Sequence, residues 1–150
     1  MKKTFIFIIG IVIVVIIGLF FVLSIDKNAV SGQEVIMYKS PSCGCCVSHA
    51  GYLRGEGFEV NTIADDVMAQ TVKNQNNIPL NMRSCHTSFI SGYFVEGHVP
   101  MEAIDKLLQE RPDIDGITLP NMPAGSPGMP GVKSGEWIIY AIKNGQASEF

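Results

Sequence analysis

Val35-Ile36-Met37-Tyr38-Lys39-Ser40-Pro41-Ser42-Cys43-Gly44-Cys45-Cys46 is the stretch on which the fold turns. Its first four residues are a short apolar run suited to a buried strand. Lys39-Ser40-Pro41-Ser42 has turn chemistry. Beyond the cysteines, Val47, Ala50 and Leu53 recur at helical spacing, and Gly55 and Gly57 stop that helix. Phe58-Glu59-Val60-Asn61-Thr62-Ile63 then alternates as a second strand, parallel to the first. The cysteines therefore fall at the strand-to-helix junction of a βαβ unit.

Working downstream, Asp65 and Asp66 start a second helix that carries Met68 and Val72 on one face and ends over Asn74 to Asn77. Ile78-Pro79-Leu80 leads into a loop containing Cys85 and His86. Thr87 to Ile90 reads as a strand, Ser91-Gly92 as a tight turn and Tyr93 to Val95 as its partner. Gly97-His98-Val99-Pro100 opens a helix with Pro100 at its first position. Met101, Ile104, Leu107 and Leu108 face the core, and Arg111-Pro112 closes the helix. Residues 116–135 hold four prolines, five glycines and two methionines, the composition of a long loop. Trp137 to Ile142 is a last strand. The order β-α-β-α-β-β-α predicts an α/β fold: a thioredoxin-like sheet flanked by helices, with one extra C-terminal strand. Met37, Met68 and Met101 fall on core positions.

Working upstream, Thr4 to Leu23 carries no charge and almost no polarity, preceded by Lys2 and Lys3. Its length matches the ~20 residues that cross a bilayer as a helix, and exceeds a signal-peptide apolar stretch of about 7–15. It reads as a transmembrane anchor or, failing that, a cleaved leader. Both readings keep the two lysines inside and export the chain beyond Ser24, to the periplasm or outside of a bacterial cytoplasmic membrane. The expected organisation is an anchor or signal segment over 1–24, a linker over 25–33 and one metal-binding domain over 34–150. With the two lysines set apart, nine basic residues face 14 acidic ones. Nothing resembles a basic patch, which argues against nucleic acid as a partner.

Four cysteines lie in the exported part: Cys43, Cys45, Cys46 and Cys85. An even count in an oxidising compartment ordinarily means disulfides, yet three thiols within four residues are poorly suited to structural bridges. A helix N-terminus favours thiolate, the form that binds metal or attacks disulfides. Cys43 and Cys46 have the C-x-x-C spacing of a redox dithiol, with Cys45 intruding. A Cys₄ zinc site usually draws two ligands from each of two knuckles, against three plus one here. A copper(I)–thiolate cluster accommodates crowded, bridging sulfurs, and thiolates are soft ligands. The residues leave open a metal-binding protein, a copper or thiol oxidoreductase, or a single disulfide with two further thiols.

Softer candidates surround the cysteines. His86 adjoins Cys85 and is a candidate ligand or support. His49 follows Cys46 by three residues and either points back at the site or lies on the surface, with the surface slightly favoured. His98 reads as a residue that holds a loop by hydrogen bonds. Met122 and Met129 lie in the Pro/Gly-rich stretch, as soft thioether donors or as packing anchors.

Four blocks in order, Tyr38 to Cys46, Ser84-Cys85-His86-Thr87, Gly92 to Pro100 and Pro120 to Met129, resemble the CopG-like copper-resistance proteins, periplasmic bacterial proteins long catalogued as a domain of unknown function. The resemblance covers residues 34–150. It implies a thioredoxin-like fold and a copper cluster held by Cys43, Cys45, Cys46 and Cys85. It also implies a role in copper tolerance through copper redox chemistry. Copper ions, other envelope copper-handling proteins and the membrane are the expected partners. The family often places an aromatic residue shortly after the cysteines; here Val47-Ser48-His49 stand instead.

Overall fold

The computed structural model describes residues 32–150. The apolar segment expected to be an anchor or leader, and most of the linker, lie outside the described residues. Among the described residues, no helix is long and apolar enough to cross a membrane.

Val35 and Met37 alternate into the core with no exposure and fix β1 (Glu34–Lys39) as a strand with one buried face. The turn after it delivers Cys43 in extended conformation as N-cap of α1 (Gly44–Gly55). The buried residues of α1 are Cys46, His49, Ala50 and Leu53, an i, i+3, i+4, i+7 stripe. The chain continues through β2 (Glu59–Ala64), α2 (Asp66–Gln75), a short 3₁₀ turn (Leu80–Met82), β3 (His86–Ile90), β4 (Tyr93–Gly97), α3 (Met101–Glu110), β5 (Gly116–Leu119), β6 (Tyr140–Lys143) and β7 (Gln146–Glu149). Asp65 caps α2 by accepting a hydrogen bond from the Met68 N–H. Ser91 and Gly92 both have positive φ, as the tight β3–β4 hairpin turn requires.

These strands form one mixed sheet in the order β2-β1-β3-β4-β5-β6-β7. β1 runs parallel to β2 and antiparallel to β3, and β4 runs antiparallel to β3 and parallel to β5. In this register Lys39 faces His86 and Thr87 faces Glu96, so the end of β1, the start of α1, the start of β3 and the end of β4 meet at one end of the strands.

Several expectations change. The C-terminal addition is three strands, not one. The first four residues of the expected 116–135 loop are β5, wholly buried beside β4; a run of four between Asp115 and Pro120 is too short to show a period. The expected strand at Trp137 starts only at Tyr140, and β7 follows the Asn144-Gly145 turn. Met68 is 43% exposed, because α2 buries Ala69, Val72 and Lys73 instead. Pro100 is the N-cap of α3 rather than its first residue, and of the four residues expected to face the core, Leu108 is only half-buried.

Candidate metal centre

The four sulfurs come together. Cys43 accepts a hydrogen bond from the Cys46 N–H at 3.3 Å, as the cap of α1, and its sulfur lies 3.5 Å from that of Cys45. Cys43 and Cys46 are joined as a disulfide, with Cα atoms 5.4 Å apart, while Cys45 and Cys85 are free thiols. Cys85 arrives at the head of β3, which lies against β1, and all four Sγ atoms fall within 4.8 Å of one another. In the disulfide form two of the sulfurs are unavailable as thiolates.

A second group shares Cys85. Its Sγ lies 3.2 Å from His86 Nδ1 and 3.1 Å from His98 Nε2. The carbonyls around these rings fix their protons. Val99 O can only accept, so His49 Nε2 donates to it at 3.2 Å and His49 Nδ1 is bare. His86 Nε2 therefore donates to His49 Nδ1 across 2.9 Å, which leaves His86 Nδ1 bare and aimed at Cys85. His98 Nδ1 likewise carries its ring's proton and donates to Pro127 O at 2.7 Å, leaving Nε2 bare. Two imidazole lone pairs thus face one thiol, whose single proton satisfies only one of them. A soft cation satisfies both nitrogens and the sulfur together.

Burial keeps these rings neutral. It lowers His49 to about 4. It also holds His86 well below the usual imidazole value, with the neighbouring His49 and His98 acting in the same direction. His98 is lowered by burial too, against the pull of its bond to Pro127. Cys85 is pushed up to about 12, first by burial and then by Cys45. The metal-free Cys85 is therefore a protonated thiol at neutral pH, and a metal would have to displace that proton.

The sequence candidates sort accordingly. His49 is a correction: it is fully buried, not on the surface. It is the i+3 member of the buried stripe, both its nitrogens are engaged, and it stacks on Tyr52 at 5.8 Å. It orients His86 rather than offering a donor. His98 holds the loop as expected, through Pro127, but its other nitrogen faces the site, which the sequence reading missed. The hairpin carried the signal: counting outward from Ser91-Gly92 sets Thr87 against Glu96, and two steps further sets Cys85 against His98. The Pro/Gly-rich stretch lies over α1, where a Cβ on Gly128 would stand 2.6 Å from His49 N and 3.1 Å from Cys45 O. Met129 follows that contact and is half-buried, whereas Met122 is 38% exposed.

Fold and site together define an α/β domain with a cysteine/histidine centre suited to a soft metal. Residues 82–129 match the family described as a protein of unknown function, DUF411. Two solved structures are similar to the chain, both of the copper resistance protein CopG. Form 1 has 37% identity over 79% of this chain and 95% of that one, with a TM-score of 0.71. Form 2 has 37% identity over 79% and 96%, with a TM-score of 0.70. No curated protein matches. The chain belongs to the family of CopG-like copper-resistance proteins.

Proposed function

We infer that this protein binds copper(I) through Cys43, Cys45, Cys46, Cys85, His86 and His98, and serves copper tolerance in the bacterial envelope. The observation that carries the reading is the convergence of two bare imidazole nitrogens and three further sulfurs on Cys85. Thiolate and neutral imidazole are soft-to-borderline donors, and clustered thiolates favour Cu(I) over harder ions. Zinc is the weaker fit: the sulfurs are crowded three plus one rather than spread over two knuckles. Met129, half-buried and next to the Gly128 contact with α1, is a soft thioether that stands as a further candidate donor.

Copper is cargo in this account. The Cys43–Cys46 disulfide has to accept two electrons and two protons, from a dithiol that becomes a disulfide in turn, before all four sulfurs can act as thiolates. The β-α-β-α-β-β-α order, with β2-β1-β3-β4 as consecutive neighbours on one side of the sheet, supports a thioredoxin-like core. The uncharged run from Thr4 to Leu23 supports a single-pass anchor holding the domain outside the cytoplasm, where other envelope copper-handling proteins would exchange copper with it.

One observation favours a second reading. A disulfide of C-x-x-C spacing at a helix N-terminus, with Cys43 partly exposed and Cys46 buried, is the arrangement of a thiol–disulfide oxidoreductase. Cys45→Ser separates the two readings. Copper binding predicts that this variant loses copper as Cys43→Ser does. Dithiol exchange predicts that Cys45→Ser keeps full disulfide-exchange activity while Cys43→Ser loses it.

A further inference from the structure

Lys73 and Glu96 form an ion pair with almost no exposure, at 2% and 0% for the two side chains. Such a pair needs explaining. Removing two charges from water costs several kcal/mol per ion, and buried pairs replaced by apolar residues of similar size often leave a protein as stable or more so. The pair is therefore weakly accounted for by stability, and its contacts are informative.

Glu96 Oε1 accepts hydrogen bonds from Lys73 Nζ and, at 2.6 Å, from the Ser84 N–H. Its Oε2 accepts from Thr87 Oγ1 at 2.5 Å, and Thr87 Oγ1 in turn accepts from Lys73 at 3.0 Å. Ser84 and Thr87 flank Cys85-His86, so one carboxylate grips both ends of the dipeptide that brings a thiol and an imidazole to the centre. Glu96 also stands two residues before His98, with Gly97 between them at φ +81°, and a Cβ on Gly97 would lie 2.6 Å from Ser84 Oγ. The same clamp thus sets the Cys85-His86 segment against the strand end that leads to His98.

We propose that Lys73 and Glu96 are positioning residues for the copper site: through Ser84 and Thr87 they hold Cys85 and His86 in register with His98. The inference rests on the copper reading for its purpose, though not for its geometry. Supporting hydrogen bonds around metal ligands commonly govern affinity in this way.

The test is the variant Lys73→Met/Thr87→Val/Glu96→Leu in the full chain, which removes the network without stranding a charge. Thermal unfolding serves as the folding control. Two quantities are read: Cu(I) affinity by competition with bicinchoninate, and the rate of Cys85 alkylation by iodoacetamide in reduced, metal-free protein, with Cys45 as internal reference. The clamp predicts a wild-type Tm or higher, affinity lower by about 10- to 100-fold, and faster alkylation at Cys85 alone. A folded variant with wild-type affinity and wild-type alkylation overturns it. If the wild type takes no copper, the copper reading falls and the alkylation rate alone decides the clamp. If the triple variant does not fold, Glu96→Gln replaces it: faster alkylation at Cys85 alone supports the clamp, and an unchanged rate overturns it.

Discussion

Cys85 Sγ lies 3.1 Å from Nε2 of His98, thirteen residues further along the chain. Sulfur and nitrogen face each other because β3 and β4 form one hairpin, and Nε2 is bare because the neutral ring's N–H proton sits on Nδ1, which donates to Pro127 O. His98→Asn should therefore weaken Cu(I) binding by more than the about 10- to 100-fold typical of a lost supporting hydrogen bond. Competition titration against a Cu(I) chelator measures it, and an unchanged affinity would remove His98 from the site.

The oxidised and reduced proteins should differ in capacity. The Cys43–Cys46 disulfide ties up two sulfurs but leaves Cys85, His86 and His98 untouched. Native mass spectrometry after anaerobic Cu(I) addition should show several coppers on the reduced chain and fewer on the oxidised one. Equal loading of both forms would contradict the participation of Cys43 and Cys46.

Metal-free protein should lose stability as the pH falls. His49 titrates at about 4 when folded, against 6.5 for an unperturbed histidine. Between those values the unfolded chain binds the extra proton, so stability is full above pH 6.5 and declines as the pH drops towards 4. His49 alone accounts for about 3 kcal/mol over that window, and His86 and His98 act in the same direction. Denaturant melts at about pH 7.5 and about pH 4.5 should show the loss, and His49→Gln should flatten it.

Gly128→Ala should loosen the Pro/Gly stretch from α1. The residue has φ +82°, and a Cβ there would stand 2.6 Å from His49 N. Both the strain and the contact oppose alanine, so the variant should be destabilised by at least about 1 kcal/mol. Its Cu(I) affinity should fall as well, since Pro127 sets the tautomer of His98. Thermal unfolding and the same competition titration check the two effects.

The sulfur set is legible in the sequence because three cysteines in four residues at a strand-to-helix junction are uncommon, and because the order of elements brings the start of β3 beside β1. The histidines are only half legible. His49 resembles a surface residue since a polar, ionisable side chain on a short helix usually is one; its place in the Cys46, His49, Ala50, Leu53 stripe is the sign that it is buried. His98 reads as a loop holder because Gly-His-Val-Pro says nothing locally about Cys85; only the hairpin register does. β5 is hidden by the composition of the residues after it. Lys73 is invisible for a physical reason: a lysine on a helix is expected in water, and only the three-dimensional placement of Glu96 makes its burial tolerable.

The most direct measurement is the copper content of the full chain, purified anaerobically from copper-supplemented cells alongside Cys85→Ser. Cys85 belongs to both donor groups, so the account predicts several equivalents of Cu(I) in the wild type and their loss in the variant. A wild-type protein free of copper, with its Cys43–Cys46 pair cycling between thiol and disulfide, would contradict it.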